Sequence, residues 1–363
     1  MLKQTSVFDP GVECRWIAER FREVATSLPQ SGVRALTDPG ISPGNIVILL
    51  PFALAEACPF DGCAEAARTM GLGNAFGSAH FLAQDRVLDG DESTTPEGCH
   101  LSDSFLLAFG REYARLIPPG SPFWGRFQRY LREYFASLSW ERRVLRTERG
   151  RDAVEDSGLD ETLLRLGQKM SPLKATAAAV SELSCRPELL EAAERLVETF
   201  HAGYQLLDDL EDLEEDLAAR RWSAAAWLLA VSSGIDLVSG ESTAVELLTA
   251  GAASGALLRL TDLVVTSFGT AAGLAEELGA SLLAEHLHVR AVRSRQGCSG
   301  RGRGLCAAGL IDPATSASAL ADQAGVARVG DADHVGGIGG HAGLLQGLVL
   351  GLRGDQAQDI AVA

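Results

Sequence analysis

Apolar positions recur at three- and four-residue spacing over most of the chain, and paired alternating segments joined by hairpin turns are missing. Residues 51–84 are Ala-rich with few β-branched side chains, and 103–116 keep an apolar face at helical spacing. In 123–146 Phe123, Phe127, Tyr130, Tyr134 and Phe135 form an aromatic stripe with arginines opposite. The pattern over 160–183 contains Pro172, which removes an N–H and predicts a kinked or restarted helix. Residues 187–222 carry the longest uninterrupted pattern, and 223–235 and 243–288 extend it. The β-like run Ile46–Leu50 leads into Pro51 and a helical pattern, so it reads as a buried helix start. All of this predicts an all-α fold.

Periodicity fades after about residue 289, where a Gly/Arg-rich stretch gives way to Gly- and Ala-rich sequence. Such a tail buries too little surface to offset its ordering entropy, so poor order is expected beyond about residue 297. The expected organisation is an N-terminal helical segment over 1–40, one helical domain over 41–290 and a tail over 291–363.

Charge narrows the function. The chain has 32 basic and 48 acidic residues, a formal net of −16, which disfavours gripping nucleic acid or an anionic membrane. The first residues lack the layout of a signal peptide, and no uninterrupted apolar run reaches roughly 18 residues. A cytoplasmic protein without stable membrane insertion is expected. The seven cysteines form no CxxC pair and read as reduced.

The most informative segment is Tyr204-Gln205-Leu206-Leu207-Asp208-Asp209-Leu210-Glu211-Asp212, continued by Glu214, Glu215 and Asp216. On a helix Asp208 and Asp212 share a face, and like charges at that spacing repel. With leucines interleaved and no lysine in the run, a cation is expected there. Hard oxygen ligands suit Mg²⁺, which also binds substrate phosphates. A second group, Asp85-Arg86-Val87-Leu88-Asp89-Gly90-Asp91-Glu92, ends the pattern carrying Phe76, His80 and Phe81. The two groups together would clamp Mg²⁺ and a diphosphate at the mouth of an apolar cavity.

These residues resemble the trans-prenyl diphosphate synthase superfamily. Tyr204–Asp212 looks like its second aspartate-rich motif, and Asp85–Asp91 resembles the first, with Arg86 at the second aspartate. Residues 171–183 resemble the helix that carries a diphosphate-binding lysine, with Lys174 at its position. The resemblance covers roughly residues 40–290. It implies a single-domain helical bundle of the class I isoprenoid synthase type around a central cavity, with the two groups facing across it. It further implies a prenyl diphosphate substrate and three Mg²⁺ held by Asp85, Asp89, Asp208, Asp209 and Asp212. Lys174, Lys169, Gln205, Arg220, Arg221 and Tyr204 would bind substrate, and Phe76 and Phe81 would line the cavity. A homodimer is the usual assembly of that fold.

The departures from the family bear on the reaction. Elongating members carry a basic segment before the first motif and an arginine pair after it, which hold isopentenyl diphosphate. Here Ser42–Pro51 and Asp91–Glu97 contain neither Lys nor Arg. That pattern implies a bacterial-type class I terpene synthase, a lyase that ionises an allylic diphosphate and cyclises the cation. Small residues around the first group (Ala75, Gly77, Ser78, Ala79, Ala83) favour geranylgeranyl over farnesyl diphosphate. Chain elongation is the alternative. Two more distant readings are a non-catalytic synthase subunit and a di-iron protein built on the ExxH pairs Glu198/His201 and Glu285/His288. Phe76, Phe81 and the 123–140 aromatics have core packing as their competing role, His80 a hydrogen-bonded core role, and Arg86 a local ion pair.

Overall fold

Among the described residues, fourteen α-helices and two 3₁₀ turns account for the regular structure, and no strand occurs. The computed structural model describes residues 8–26, 41–42, 44–89, 96–155, 158–240 and 242–307. The helices are α1 Pro10–Thr26, α2 Ile46–Ala57, α3 Cys63–Asp89, α4 Pro96–Ala114, α5 Phe123–Arg143, α6 Gly150–Val154 and α7 Leu159–Gln168. They continue as α8 Lys174–Leu183, α9 Leu190–Glu211, α10 Leu213–Ala218, α11 Ala224–Ser233, α12 Ala244–Ala253, α13 Ala256–Glu277 and α14 Ser281–Ala307.

The run Ile46–Leu50 is the fully buried start of α2, capped by Asn45 Oδ1 accepting from the Val47 N–H at 2.9 Å. Pro172 does restart the chain: α7 ends, Ser171–Leu173 form a 3₁₀ turn, and α8 begins at Lys174. Three patterns read as continuous are broken. Residues 58–62 separate α2 from α3, Asp212 separates α9 from α10, and 243–288 divide into α12, α13 and α14. The tail boundary also moves, because α14 runs on to Ala307. Residues 308–363, where the rest of the expected tail falls, lie outside the described residues.

The chain forms two compact units. The first comprises residues up to Phe135, Lys169–Glu198 and Ala271–Leu287. Its core is aromatic: Phe21, Phe76 and Phe105 contact one another pairwise, and Tyr113, Phe109, Phe123 and Phe127 form a linked cluster of rings. Ring pairs of this kind add about 0.5–1.5 kcal/mol each beyond area burial. A closed polar network lies within it. The Tyr113 hydroxyl donates to Asn74 Oδ1 at 2.8 Å and meets Thr176 Oγ1 at 2.9 Å, while Asn74 Nδ2 donates to the Val47 carbonyl at 3.0 Å.

The second unit comprises Ala136–Gln168, Thr199–Thr270 and residues from His288. There Phe200 packs on Phe268, and Gly203 lets α9 approach α13, since a Cβ at Gly203 would stand 2.7 Å from Ser267 Cβ. Among the described residues α13 alone is long and apolar enough to cross a membrane, and half of that window is buried. With Leu260, Val264 and Phe268 in the core, α13 packs as a central helix of a folded unit.

Trp227 anchors α11 by donating from Nε1 to the Leu145 carbonyl at 2.7 Å. A Cβ on Gly150 would stand 2.1 Å from that Nε1 and 2.6 Å from the same carbonyl. Gly150→Ala is therefore expected to destabilise the protein by about 1–3 kcal/mol. Gly125, with no heavy atom within 4 Å of its Cβ position, is the control. Gly125→Ala should be neutral or stabilise α5 by up to about 1 kcal/mol. Urea midpoints of the two variants check the pair.

Candidate active site

The second carboxylate group is where α9 stops. Asp208, Asp209 and Glu211 occupy its last turn, no basic residue shares that turn, and Asp212 leads into α10. The C-terminal end of a helix carries a partial negative charge, so carboxylates gathered there raise one another's energy and that of the helix. Asp209 is relieved by local structure. It is buried, its Oδ1 accepts from Gln205 Nε2 at 2.8 Å, and its Oδ2 accepts from the Ala225 N–H at 3.4 Å. Ala225 lies in the first turn of α11, so Asp209 faces the positive end of that helix. Asp208 and Asp212 are half-buried.

Further charges in this unit adjoin the group. Arg221 Nε donates to Asp216 at 3.0 Å, and burial pushes the Asp216 carboxyl up. Burial and the negative Asp208 push the Tyr204 phenol up to about 12, and Arg290 of α14 opposes them. Arg290, the last residue of the expected helical domain, stands on α14. Arg220 takes a left-handed conformation, φ 53°, at the end of α10. Its N–H bonds the Leu217 carbonyl and the Arg221 N–H bonds the Asp216 carbonyl, the pairing of a Schellman cap. Its side chain makes no hydrogen bond or ion pair among the described residues. Its guanidinium lies over Gly240, where a Cβ would stand 3.0 Å from Nη2.

The first group belongs to the other unit. Asp85 is half-buried on α3, Arg86 and Val87 are exposed, and Asp89 is the last residue of the helix. The Asp89 side chain, Asp91 and Glu92 lie outside the described residues. Phe81, one turn before Asp85, packs on Tyr134 with ring centroids 4.5 Å apart. Phe76, expected as cavity lining, is instead wholly buried between Phe21 and Phe105. Nine residues is half a turn out of phase on a helix, which carries Phe76 to a different face from Asp85.

Lys174 departs furthest from its expected role. Its side chain is 2% exposed, and its ammonium is bound by Glu133 and Glu198 and lies 5.7 Å from the Tyr130 ring. Ser171 Oγ donates to the same Glu133 oxygen that Lys174 reaches, both at 2.8 Å. Beside it, Arg129 and the Tyr130 hydroxyl donate to Glu194. Lys174 is thus the cation of a polar cluster joining α5, α8 and α9, and a diphosphate would have to compete with two carboxylates for it. Lys169 is half-buried in the turn after α7. The same contacts count against the di-iron reading, because Glu198 is held by Lys174 and His201 stacks on Tyr204.

The donor set is hard and oxygen-rich, as Mg²⁺ prefers when it keeps waters and takes a substrate phosphate. The buried Asp209, already satisfied by two N–H donors, fits a supporting role better than that of a direct ligand. Asp208 and Asp212, half-buried at the same helix end, fit the ligand role better.

No protein-family model matches the chain, and no curated protein matches it by sequence. Solved structures do. The chain is similar to a geranylgeranyl pyrophosphate synthetase from the archaeon Geoglobus acetivorans, with a TM-score of 0.56 at 16% identity, over 79% of this chain and 97% of that one. It is also similar to a geranylgeranyl pyrophosphate synthetase from Pyrococcus horikoshii Ot3, with a TM-score of 0.53 at 15% identity, over 79% and 96%. The fold is therefore the helical fold of trans-prenyl diphosphate synthases. Both neighbours are named for synthesis of a prenyl diphosphate, the alternative rather than the first choice of the sequence reading.

Lys174→Met should lower stability by about 2–4 kcal/mol, because Glu133 and Glu198, each 22% exposed at the side chain, would lose the ammonium between them, leaving only Arg129, 3.6 Å from Glu133, as a cation. Thermal unfolding checks this, and Lys174→Arg should recover part of the loss. A pH effect is expected from His80, whose imidazole burial holds below its ordinary value of 6.5. A group depressed in the folded state stabilises above its unfolded pKa and loses that contribution as pH falls. Stability should therefore decline as pH drops below about 6.5, and His80→Gln should flatten that part of a denaturation-versus-pH curve.

Proposed function

We propose that this protein is an enzyme that ionises an allylic prenyl diphosphate with the help of Mg²⁺. The observation that carries the reading is the row of carboxylates at the negative end of α9, with no basic residue in that turn, in a fold shared with two prenyl diphosphate synthetases. Asp208 and Asp212 would hold the metal, and Asp209 would fix the end of α9 against α11. Bound Mg²⁺ would supply charge neutralisation of the leaving diphosphate. Arg220, without an ion-pair partner among the described residues, and Arg221 would donate hydrogen bonds to it, guanidinium being well matched to phosphate oxygens. Gln205 orients Asp209, and Tyr204, raised far above neutral pH, stays protonated.

Two outcomes follow ionisation. Chain elongation, in which isopentenyl diphosphate attacks the cation, is supported by the activity for which both structural neighbours are named. Cyclisation, in which the cation's own double bonds attack, is supported by the sequence before α3. Ile46–Leu50 is a buried apolar helix start without Lys or Arg, where a second diphosphate would need cations.

Incubating the protein with Mg²⁺ and C10, C15 or C20 allylic diphosphates, with and without isopentenyl diphosphate, tests both. Diphosphate release is expected. A longer prenyl diphosphate made only with isopentenyl diphosphate establishes elongation, a cyclic hydrocarbon or alcohol without it establishes cyclisation, and no release in any mixture overturns the function. Asp208→Asn and Asp212→Asn should each slow release at least tenfold with an unchanged melting temperature. Asp209→Asn should also lower the melting temperature, since it weakens the contact with α11.

A further inference from the structure

Arg220 sits where its own backbone resists it. At φ 53° it occupies the left-handed position after α10 that glycine ordinarily fills in a Schellman cap, because a Cβ there crowds the backbone. The cap's hydrogen bonds need only main-chain atoms, so an arginine kept there calls for a use of its side chain. Arg221, the next residue, is committed: it donates to Asp216 at 3.0 Å and to Glu215 at 3.4 Å. Arg220 is exposed and has no such acceptor among the described residues.

An exposed arginine without a partner ordinarily samples many rotamers. Arg220 instead rests on Gly240. A Cβ on Gly240 would stand 3.0 Å from Nη2, 3.2 Å from Cζ and 3.5 Å from Nε, so the guanidinium lies against backbone that carries no side chain. Gly240 is itself left-handed, at φ 72°, in a loop tied to its own main chain. The Val238 N–H donates to Asp236 Oδ1 at 2.9 Å, and the Ser239 and Ser242 hydroxyls donate to the Asp236 carbonyl at 3.2 and 3.1 Å. Leu237 anchors the loop by burial, and Glu246 closes a capping box with Thr243 beyond it. The Asp236 and Glu246 carboxylates are thus occupied by backbone N–H groups rather than by Arg220.

We propose that Gly240 is a positioning residue, whose bare backbone seats the Arg220 guanidinium with its N–H donors uncommitted, ready for the diphosphate of the proposed reaction. The inference rests on the allylic-diphosphate reading above. Asp208, Asp212, Arg220 and Gly240 all belong to the second unit, and α10 leads from Asp212 to the arginine pair. A cation that is already ordered loses less side-chain entropy on taking a phosphate, which raises affinity without an added contact. Arginine in place of glycine at the cap then exchanges some stability for binding.

Calorimetric titration of the full chain with inorganic diphosphate and Mg²⁺ tests this, with thermal unfolding of each variant alongside. Gly240→Ala adds a methyl group that the guanidinium, the far end of a flexible side chain, relieves by swinging away. Gly234→Ala is the control, with φ 69°, the same left-handed cost and no heavy atom within 4 Å of its Cβ position. Arg220→Gly removes the guanidinium and suits the cap. Arg220→Gly is expected to weaken diphosphate binding about tenfold or more while the melting temperature holds or rises. Gly240→Ala should bind about threefold or more weaker than Gly234→Ala. In an Arg220→Gly background Gly240→Ala should add no further loss, the mark of two residues acting together. Equal or tighter binding by Gly240→Ala relative to Gly234→Ala, or additive losses in the double variant, would overturn the seat. Wild-type affinity in Arg220→Gly would do the same, leaving Arg220 a packing contact. Should Gly240→Ala not fold, Gly240→Asn takes its place, since asparagine tolerates the left-handed region and still carries a Cβ; the Arg220→Gly comparison decides whether or not either folds. No diphosphate binding by the wild type would overturn the functional reading and this inference with it.

Discussion

A helix that ends in carboxylates works against its own dipole. At the end of α9 the partial negative charge of the last carbonyls meets Asp208, Asp209 and Glu211, with Asp212 one residue beyond. Three devices in the same unit make this tolerable. The α11 N-terminus faces Asp209, Arg221 takes Asp216, and Arg290 lends positive charge near Tyr204. None of them supplies a basic side chain to the last turn itself. Helix geometry thus concentrates negative charge at the end of α9, and Asp209 is held there by N–H donors from within its own unit.

The first unit handles charge in the opposite way. Lys174 is enclosed, with Glu133 and Glu198 on its ammonium and the Tyr130 ring beside it. A buried cation between two carboxylates fixes the packing of three helices more than it adds to net stability, because desolvation offsets most of the attraction. The lysine thereby becomes an internal strut of α5, α8 and α9. Whether it also meets a diphosphate depends on a competition among anions for one ammonium, and two of those anions are already in place.

Much of this was legible in the sequence, for physical reasons that differ by feature. The helices were, because 3.6-residue periodicity is a property of each segment alone. Pro172 as a restart was, because a missing N–H is local. The breaks at residues 58–62, Asp212 and Ser254–Gly255 were not, since apolar spacing continues through them. Nor was α14 beyond residue 297: composition argues for coil there, yet a helix already nucleated extends one residue at a time, and no proline intervenes before Ala307. Asp208–Asp212 stood out because like charges at helical spacing are anomalous on their face. The fate of Lys174 did not, as its partners lie 41 and 24 residues away in the chain. Phe76 misled because closeness in sequence to Asp85 is not a shared helix face.

Fold and charge bear differently on the proposed reaction. Elongation places two diphosphates in one site, and the second needs cations not already engaged. In the first unit Arg68 is held by Glu13, Arg115 by Glu112, Arg129 by Glu194 and Lys174 by Glu133 and Glu198. The segment before α3 offers a buried apolar helix start in place of basic groups. At 15–16% identity the helical scaffold can persist while its charges are replaced, since packing tolerates surface exchange far better than a phosphate site tolerates loss of its donors. Under the proposed reading, ionisation demands one anion site and a metal, and the carboxylates at α9 would serve it in either case. The step from elongation to cyclisation would require only that the second set of cations be lost, without moving a helix.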